Sequence, residues 1–314
     1  MKKNKIEQME EYPKNLNFAE INRPVYLMNP PLGYHAEVAD NEYMEHLKLE
    51  DRIVDKNYAL TEWFDLYKFL AKDALVYLMP TPNENLQDLT YVSNLGVVLE
   101  NTNIAIVSEF TAQPRLGETK WGEMFFKMMG FETYISPYKF EGDAELKWIK
   151  DNLYVGAYGI RSDIKVYDWM EEKFGVKIIR VKPQNPWMYH LDVNFLPVTK
   201  TDALCCTSSF TKQEIKELEK HMYLHDVPTK YAEIGGTSGL RHKKFYITGT
   251  CIENEIKGTE DYRNEVTKNK IVEKFCEKIG INLHWVNIDE FFKGGGDLSC
   301  LILQINRKSF EIKL

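Results

Sequence analysis

A four-element unit constrains the fold of this chain more than any other feature: a strand, a second strand, a helix and a third strand recur at roughly 50-residue intervals. No linker rich in Pro, Ser or Gly divides the 314 residues. Recurrence without linkers predicts a radially repeated α/β array in a single domain, which we place at residues 21–314. An ordinary two-domain α/β enzyme is the alternative. Residues 1–20 are polar and charged, and we expect them to form a poorly ordered arm.

The element boundaries follow from apolar periodicity and from Gly, Pro and Asn in the loops. One helix is expected to begin after Thr211, because Glu214 three residues later completes a capping box. The predicted helices are 61–72, 120–129, 163–174, 211–221 and 265–279. The predicted strands are 25–28, 74–79, 96–99, 104–108, 133–136, 153–158, 177–181, 193–198, 203–206, 244–247, 284–286 and 301–305.

The charge balance argues against a general affinity for polyanions. The chain has 40 basic and 47 acidic side chains and a formal net charge of −7, so no cation excess exists to neutralise nucleic acid or an anionic membrane. No apolar run approaches the ~20 residues of a membrane span, and the N-terminus lacks the hydrophobic stretch of a secretory signal. Five scattered cysteines indicate neither a disulfide framework nor a zinc site. We therefore expect a cytoplasmic protein with reduced thiols.

The most suggestive side chain is Cys300, which follows three glycines at 294–296 and precedes the predicted strand 301–305. Consecutive glycines let the backbone approach a ligand or another strand without a Cβ atom in the way. The thiol is therefore a candidate nucleophile. Most free cysteines are buried small hydrophobes, so this segment alone does not distinguish the two interpretations.

Acidic, basic and imidazole groups collect where strands end. If the segment 189–195 is a strand, His190 and Asp192 lie two residues apart on one of its faces, as a general base and its carboxylate do. A satisfied, semi-buried histidine is the equal alternative. Asp88 and Asn94 bracket a short extended piece and could reach a cationic or amide-bearing ligand; both are also common turn formers.

Two further pairs have the chemistry to hold a planar, charged ligand. Glu141 and Asp143 are two residues apart in a turn and could clamp a guanidinium, although such pairs also occur on solvated turns. Arg115 and Arg161 each lie in a loop just ahead of a helix and could hold a substrate carboxylate, although loop arginines are usually solvated. The glycine-rich segment 235–239 has no strand–helix context for binding phosphate, and the chain lacks nucleophile-elbow, Walker and HExxH motifs.

Taken in chain order, these motifs resemble those of the guanidino-group-modifying superfamily, which comprises arginine deiminases, dimethylarginine hydrolases, amidinotransferases and arginine dihydrolases. The resemblance spans residues 28–300. Its most specific parts are His-Leu-Asp at 190–192 followed by Phe195, and the glycine triplet before Cys300. It implies a five-bladed α/β-propeller of ββαβ-type units with pseudo-fivefold symmetry, which agrees with the recurrence of the four-element unit.

The resemblance also implies a mechanism without a metal or an organic cofactor. The Cys300 thiolate would attack the central carbon of a guanidinium or ureido group, and water activated by His190 would hydrolyse the thiouronium-type intermediate. The implied contacts to the planar nitrogens come from Asp192 and from Glu141 or Asp143. The implied anchors for a distant carboxylate are Arg161 and Arg115.

Three departures from the family pattern bear on the substrate. Asn94 stands where deiminases and amidinotransferases carry an aspartate, and Glu-Gly-Asp at 141–143 is one residue shorter than the usual Glu-Gly-Gly-Asp. Ser299 stands where relatives often have histidine. Losing the aspartate weakens a guanidinium clamp by ~1.5–3 kcal/mol, whereas an asparagine also suits a neutral ureido group. Arginine dihydrolases carry asparagine there, and residues 27–44 resemble their N-terminal segment.

These features predict a cysteine hydrolase acting on a small guanidino or ureido amino acid, such as arginine. A citrulline ureidohydrolase and an amidinotransferase are the neighbouring alternatives, and a catalytically silent arginine-binding protein is the alternative from another class. Neither nucleic acid nor a membrane is an expected partner. The sequence leaves the oligomeric state open, a homo-oligomer included.

Overall fold

Five three-stranded sheets with the same connectivity organise the described part of the chain, residues 17–82 and 85–314 of a computed structural model. In every sheet the central strand pairs antiparallel with one neighbour and parallel with the other. The predicted α/β class is therefore confirmed. Of the predicted N-terminal arm, residues 1–16 lie outside the described residues. Phe18, within that arm, is buried and stacks on Phe131 with ring centroids 4.6 Å apart.

The strands and helices have the following bounds. The strands are β1 (Val25–Met28), β2 (Leu75–Leu78), β3 (Gly96–Val98), β4 (Ile104–Val107), β5 (Glu132–Ile135), β6 (Leu146–Lys150), β7 (Leu153–Ala157), β8 (Lys177–Val181), β9 (Phe195–Pro197), β10 (Asp202–Cys205), β11 (Tyr223–Asp226), β12 (Leu240–His242), β13 (Phe245–Thr250), β14 (Asn282–Asn287) and β15 (Leu303–Gln304). The helices are α1 (Glu42–His46), α2 (Lys56–Ala71), α3 (Glu118–Met128), α4 (Lys165–Phe174), α5 (Lys212–Glu219), α6 (Thr229–Ala232), α7 (Glu260–Ile279) and α8 (Asp289–Phe292).

Each parallel pair is joined by a helix, because a parallel neighbour can be reached only through a crossover. Helices α2, α3, α4, α5 and α7 supply the five crossovers. Three of the tight antiparallel connections turn through a left-handed residue, namely Asn101 (φ 58°), Asp151 (φ 47°) and Lys243 (φ 52°). The first sheet differs in one respect: its antiparallel strand is β15, from the other end of the chain.

The hydrophobic core is divided among five clusters that join helices to sheets. In one, Trp63 and Leu66 of α2 pack with Tyr26 of β1 and Ile247 of β13, so the cluster joins two sheets. No helix among the described residues is long and apolar enough to cross a bilayer.

Most predicted elements lie where the apolar pattern places them, but three strands were missed. They are β6, β11 and β12, which carry polar side chains such as Lys147 and Arg241. Both of these cations are buried, and their partners come from other segments. The predicted helix 61–72 begins earlier, because Asp55 caps it by accepting hydrogen bonds from the amides of Asn57 and Tyr58.

The capping box predicted at α5 is confirmed, since Thr211 and Glu214 bond each other's backbone amides. We expect Thr211→Ala to lower the free energy of unfolding by about 1 kcal/mol, because it removes the cap of an exposed helix. Urea denaturation followed by circular dichroism measures this difference. Lys212→Ala in the same first turn is the matched control and should change stability by less than about 0.5 kcal/mol.

Candidate active site

Four 3₁₀ turns carry the candidate functional residues, and each lies directly before the first strand of a sheet. They are Val92–Leu95 before β3, Gly142–Ala144 before β6, Leu191–Val193 before β9 and Leu298–Leu301 before β15. The first of these turns packs against both the second and the fourth. The repeated unit therefore brings residues far apart in sequence to one place.

Glycine permits the closest of these approaches. Gly142 has φ +65°, and a Cβ atom there would lie 2.6 Å from the carbonyl oxygen of Ser93 and 2.7 Å from that of Gly96. The Glu-Gly-Asp turn is thus held backbone-to-backbone against the turn that carries Asn94. The glycine triplet serves a similar purpose, because a Cβ atom on Gly296 would meet the ring of Tyr91 at 2.1 Å. The missing side chain of Gly296 therefore lets the ring of Tyr91 pack against the backbone.

The condition on which His190 and Asp192 would share a face is not met, because they do not lie in a strand. Residues 191–193 form a 3₁₀ turn. The side-chain amide of Asn194 stabilises this turn by donating to the backbone carbonyls of Met188 and His190, both at 2.7 Å. His190 and Asp192 therefore do not form the expected pair. The imidazole bonds Glu141, whereas the carboxylate accepts a hydrogen bond from Ser299.

A buried chain of three side chains lies at the centre of the site. His190 Nε2 is 2.7 Å from Glu141 Oε2, and Arg161 donates to Glu141 Oε1 at 3.1 Å. Burial alone would raise the pKa of Glu141, but the Arg161 charge and the His190 hydrogen bond lower it to about 2. Glu141 is therefore an ionised carboxylate that orients the imidazole.

Asn94 lies against the other side of this imidazole. Its Nδ2 atom is 3.3 Å from both ring nitrogens of His190 and can donate to whichever is unprotonated. Its backbone carbonyl accepts a hydrogen bond from the Ser108 hydroxyl. The amide is thus held beside the base and adds no charge.

The turn that carries Cys300 is fixed on both sides. The Cys300 amide donates to the Asp297 carbonyl at 3.0 Å, while the Asp297 carboxylate accepts from the Leu298 amide at 2.6 Å. Ser299 donates its hydroxyl to Asp192 Oδ2 at 2.8 Å, and this bond ties the cysteine turn to the histidine turn. Burial raises the pKa of the Cys300 thiol, and the negative charge of Asp192 raises it further. The resting side chain is a neutral thiol.

Asp88 Oδ1 and Asp192 Oδ1 are two of the three buried carboxylate oxygens that have no hydrogen-bond partner within residues 17–82 and 85–314; the third is Glu145 Oε1. Burial raises the pKa of Asp88 well above its usual range, and Gln87 donates to its other oxygen at 3.0 Å. Since buried acceptors are normally satisfied, Asp88 Oδ1 and Asp192 Oδ1 are suited to receive N–H groups from a ligand.

Asp143 has a different environment from Glu141. Its oxygens accept hydrogen bonds from Lys147 and Arg307, both at 2.7 Å, and all three side chains are buried. The contacts of Asp143 are those of a structural ion pair, so the geometry does not favour it over Glu141 as the functional acid.

The two candidate anchor arginines are both paired. Arg115 donates to both carboxylate oxygens of Glu118, at 2.9 and 2.8 Å, and stacks on Phe110. Arg161 bonds Glu141 and the backbone carbonyl of Asp40, and its guanidinium lies 4.7 Å from the ring centroid of Tyr189. Neither side chain is a solvated surface arginine, which was the sequence-based alternative.

The site is closed over its central groups. His190 is 4% exposed and Cys300 5% exposed. A cavity of about 290 Å³ lies beside Arg161, which lines it together with Asp40 and Tyr189. Within the described ranges no three His, Cys, Asp or Glu side chains are grouped so as to hold a metal ion.

Sequence reasoning missed the contribution of the fifth sheet. The glycine-rich segment 235–239 precedes β12, the same place that the four turns occupy before their strands. Within it, the Ser238 hydroxyl lies 2.8 Å from that of Ser299 and accepts a hydrogen bond from the Ser299 amide at 3.2 Å. The position of segment 235–239 in the repeated unit, directly before the first strand of its sheet, was the sequence signal that could have identified it as part of the site.

Comparisons with known proteins agree with this architecture. No protein-family model matches the chain. The uncharacterized protein ZK1307.1 of Caenorhabditis elegans is 26% identical over 281 residues, which are 89% of this chain and 92% of that protein. The N-terminal domain of ArgZ, an arginine dihydrolase from cyanobacteria, superposes with a TM-score of 0.77 at 21% identity, over 90% of this chain and 97% of that one. DDAH from Pseudomonas aeruginosa, complexed with citrulline, gives 0.67 at 15% identity, over 90% and 99%.

The chain shares its fold with the N-terminal domain of ArgZ and with DDAH. Sequence resemblance and structural comparison thus agree on this fold.

The ion pairs of Asp143 lead to a stability prediction. We expect Asp143→Asn to lower the free energy of unfolding by ~3–5 kcal/mol, because Arg307 would remain buried without its counter-ion and Lys147 would keep only its 3.8 Å contact with Asp192. Guanidinium chloride denaturation measures the loss. Asp168→Asn, which breaks an exposed pair with Arg180, is the control and should cost less than about 1 kcal/mol. A small loss for Asp143→Asn, matching that of the control, would contradict the structural role.

Proposed function

We propose that the protein is a cysteine-dependent hydrolase that cleaves a C–N bond in the guanidino or ureido group of arginine or a close relative. One arrangement carries the proposal: the Cys300 turn packs against the Asn94 turn and bonds Asp192, and the Asn94 turn also packs against the turn that follows Glu141, whose carboxylate holds the His190 imidazole. The shared fold supports it, since ArgZ is an arginine dihydrolase and DDAH was crystallised with citrulline.

The reaction begins when the Cys300 thiol loses its proton and its sulfur forms a bond to the central carbon of the planar group. The proton passes to His190, whose imidazolium is stabilised by the ionised Glu141. The C–N bond then breaks, and ammonia leaves with the proton from His190. The product of this half-reaction is a covalent thiouronium-type intermediate.

Water completes the cycle. His190 takes a proton from the water molecule as the water oxygen bonds to the trigonal carbon. The C–S bond then breaks, His190 returns that proton to the Cys300 sulfur, and the remaining hydroxyl proton of the product leaves to the solvent. The first turnover converts a guanidino group to a ureido group. A second turnover on the ureido carbon would release another ammonia and leave a carbamate, which loses carbon dioxide to give the free amine.

The substrate would be held by neighbouring acceptors. Asp88 Oδ1 and Asp192 Oδ1 are the candidate acceptors for N–H groups of the planar end, and Asn94 can serve either a guanidinium or a ureido group. Arg161 lines the adjacent cavity and is the candidate anchor for a carboxylate there. Arg115 already pairs with Glu118, so it could bind a substrate carboxylate only by sharing its guanidinium between the two.

We further infer that the five sheets are the blades of a single propeller spanning residues 21–314. The identical connectivity of the sheets supports this arrangement, as do contacts between neighbouring first strands: β3 lies against β15, and β6 against β9. The turns before these strands would then meet at the centre. The five free cysteines support the predicted cytoplasmic location, since thiols remain reduced there.

Product analysis tests the function. We expect the protein to release ammonia from arginine, and Cys300→Ser to lose at least about a thousandfold in kcat because the hydroxyl is a much weaker nucleophile. Amino-acid chromatography would identify citrulline or ornithine. Cys276→Ser, a buried cysteine on α7, is the matched control and should retain activity.

The outcomes separate the alternatives. Ammonia from citrulline alone indicates a ureidohydrolase, and turnover that requires an added amine indicates an amidinotransferase. Absence of turnover from both compounds would count against the hydrolase. A large fall in melting temperature for Cys300→Ser would indicate that the thiol is a packing residue.

An electrophile that resembles a guanidinium gives a second test. We expect chloroacetamidine, which carries a planar cationic amidine, to alkylate Cys300 before the other four cysteines, because the carboxylates around the site attract it. Iodoacetamide, which is neutral, should show no such preference. Peptide mapping by mass spectrometry measures both patterns. Uniform labelling by the amidine would favour a silent binding protein.

A further inference from the structure

A buried acid that this reaction does not use lies on the turn that holds Glu141. Glu145 ends the 142–144 turn, where its amide donates to the Gly142 carbonyl at 3.1 Å, and it is 1% exposed. Its Oε1 atom has no hydrogen-bond partner in the described part of the chain. A buried carboxyl with an unsatisfied oxygen is rare in folded proteins and requires an explanation.

The segment carries three buried acids, and only two have cations. Glu141 is paired with Arg161, and Asp143 with Lys147 and Arg307. Glu145 forms no ion pair with any residue in 17–82 or 85–314. A carboxylate buried without a counter-ion is unstable, so this side chain is expected to keep its proton.

The charges facing Glu145 act in the same direction. Burial raises the pKa of its carboxyl well above the usual range, and the negative charges of Glu141 and Asp192 raise it further. The cations Arg161 and Lys147 oppose this effect but are committed to other acids. On α4, Tyr167 donates its hydroxyl to the backbone carbonyl of Glu145 at 3.2 Å and supplies no positive charge.

We propose that Glu145 is the counter-charge for a cationic substrate: its carboxyl is protonated in the resting site and releases that proton when a guanidinium binds beside Glu141 and Asp192. The O–H bond breaks, its electron pair stays on the carboxylate, and the proton leaves to the solvent. The inference rests on the proposed function and extends it, because it favours a positively charged guanidinium over a neutral ureido group.

The physical reason is charge balance in a buried site. A bound guanidinium adds one positive charge next to Glu141, which is paired with Arg161, and Asp192, whose Oδ2 lies 3.8 Å from Lys147. Asn94 contributes only a neutral amide. Ionised Glu145 would neutralise that charge. A ureido group adds no charge, so its binding gives Glu145 no reason to ionise. The bound state holds one proton fewer than the free site. At pH values below the pKa of Glu145 in the free site, arginine affinity should therefore rise about tenfold for each unit by which the pH is increased.

Proton release can be measured directly in a variant that binds without turnover. Calorimetric titration of Cys300→Ala in two buffers with different ionisation enthalpies should show about one proton released per arginine and none per citrulline. Glu145→Gln in the same background should abolish the release and flatten the pH dependence of Kd. The matched control is Glu62→Gln, which changes a distant buried acid whose pKa burial raises to about 8 and should leave the release intact.

Each outcome bears on the inference. Arginine binding without proton release, or release that persists in Glu145→Gln, overturns it and leaves the proposed function standing. Failure of folded Cys300→Ala to bind either compound overturns both. Should Glu145→Gln not fold, infrared difference spectra of Cys300→Ala decide the matter. Loss of a protonated-carboxyl band on adding arginine supports the inference, and an unchanged band overturns it.

Discussion

The hydrogen-bonded contact between Glu141 and His190 is the interaction on which the site depends. A buried carboxylate is costly unless it is paired, and Arg161 meets that requirement on one side while the imidazole uses the other. The pair in turn fixes the ring against the Asn94 amide. Without Arg161, Glu141 would tend to hold a proton, and it could not stabilise an imidazolium.

The repeated unit explains how such a contact forms between residues far apart in sequence. Each turn before a first strand is short and irregular, so its side chains are free of the alternation that a strand imposes. Backbone contact at Gly142 draws two of these turns together, and the Ser299–Asp192 bond joins two others. The sheets supply rigidity, and the turns supply the chemical groups.

Part of this arrangement could be predicted from the sequence, because it depends on local patterns. Apolar runs identify the central strands, and the capping box at Thr211 identifies the start of α5. Strands β6 and β12 could not be found in this way, since Lys147 and Arg241 look like surface residues until their contacts with Asp192 and with the Val198 carbonyl are known. The same limit applies to the acids of 141–145. Asp143 is distinguished from Glu141 by its bonds to Lys147 and to Arg307, and Arg307 is 164 residues away.

The Cys300 turn leads directly into β15, whose partner is β1. The side chain proposed as nucleophile is therefore anchored through a strand that joins the two ends of the described chain. During synthesis on the ribosome, the segments of the other four sheets emerge first, but this sheet must wait for residue 304. The turn that carries Cys300 would therefore be the last of the four turns to be put in place.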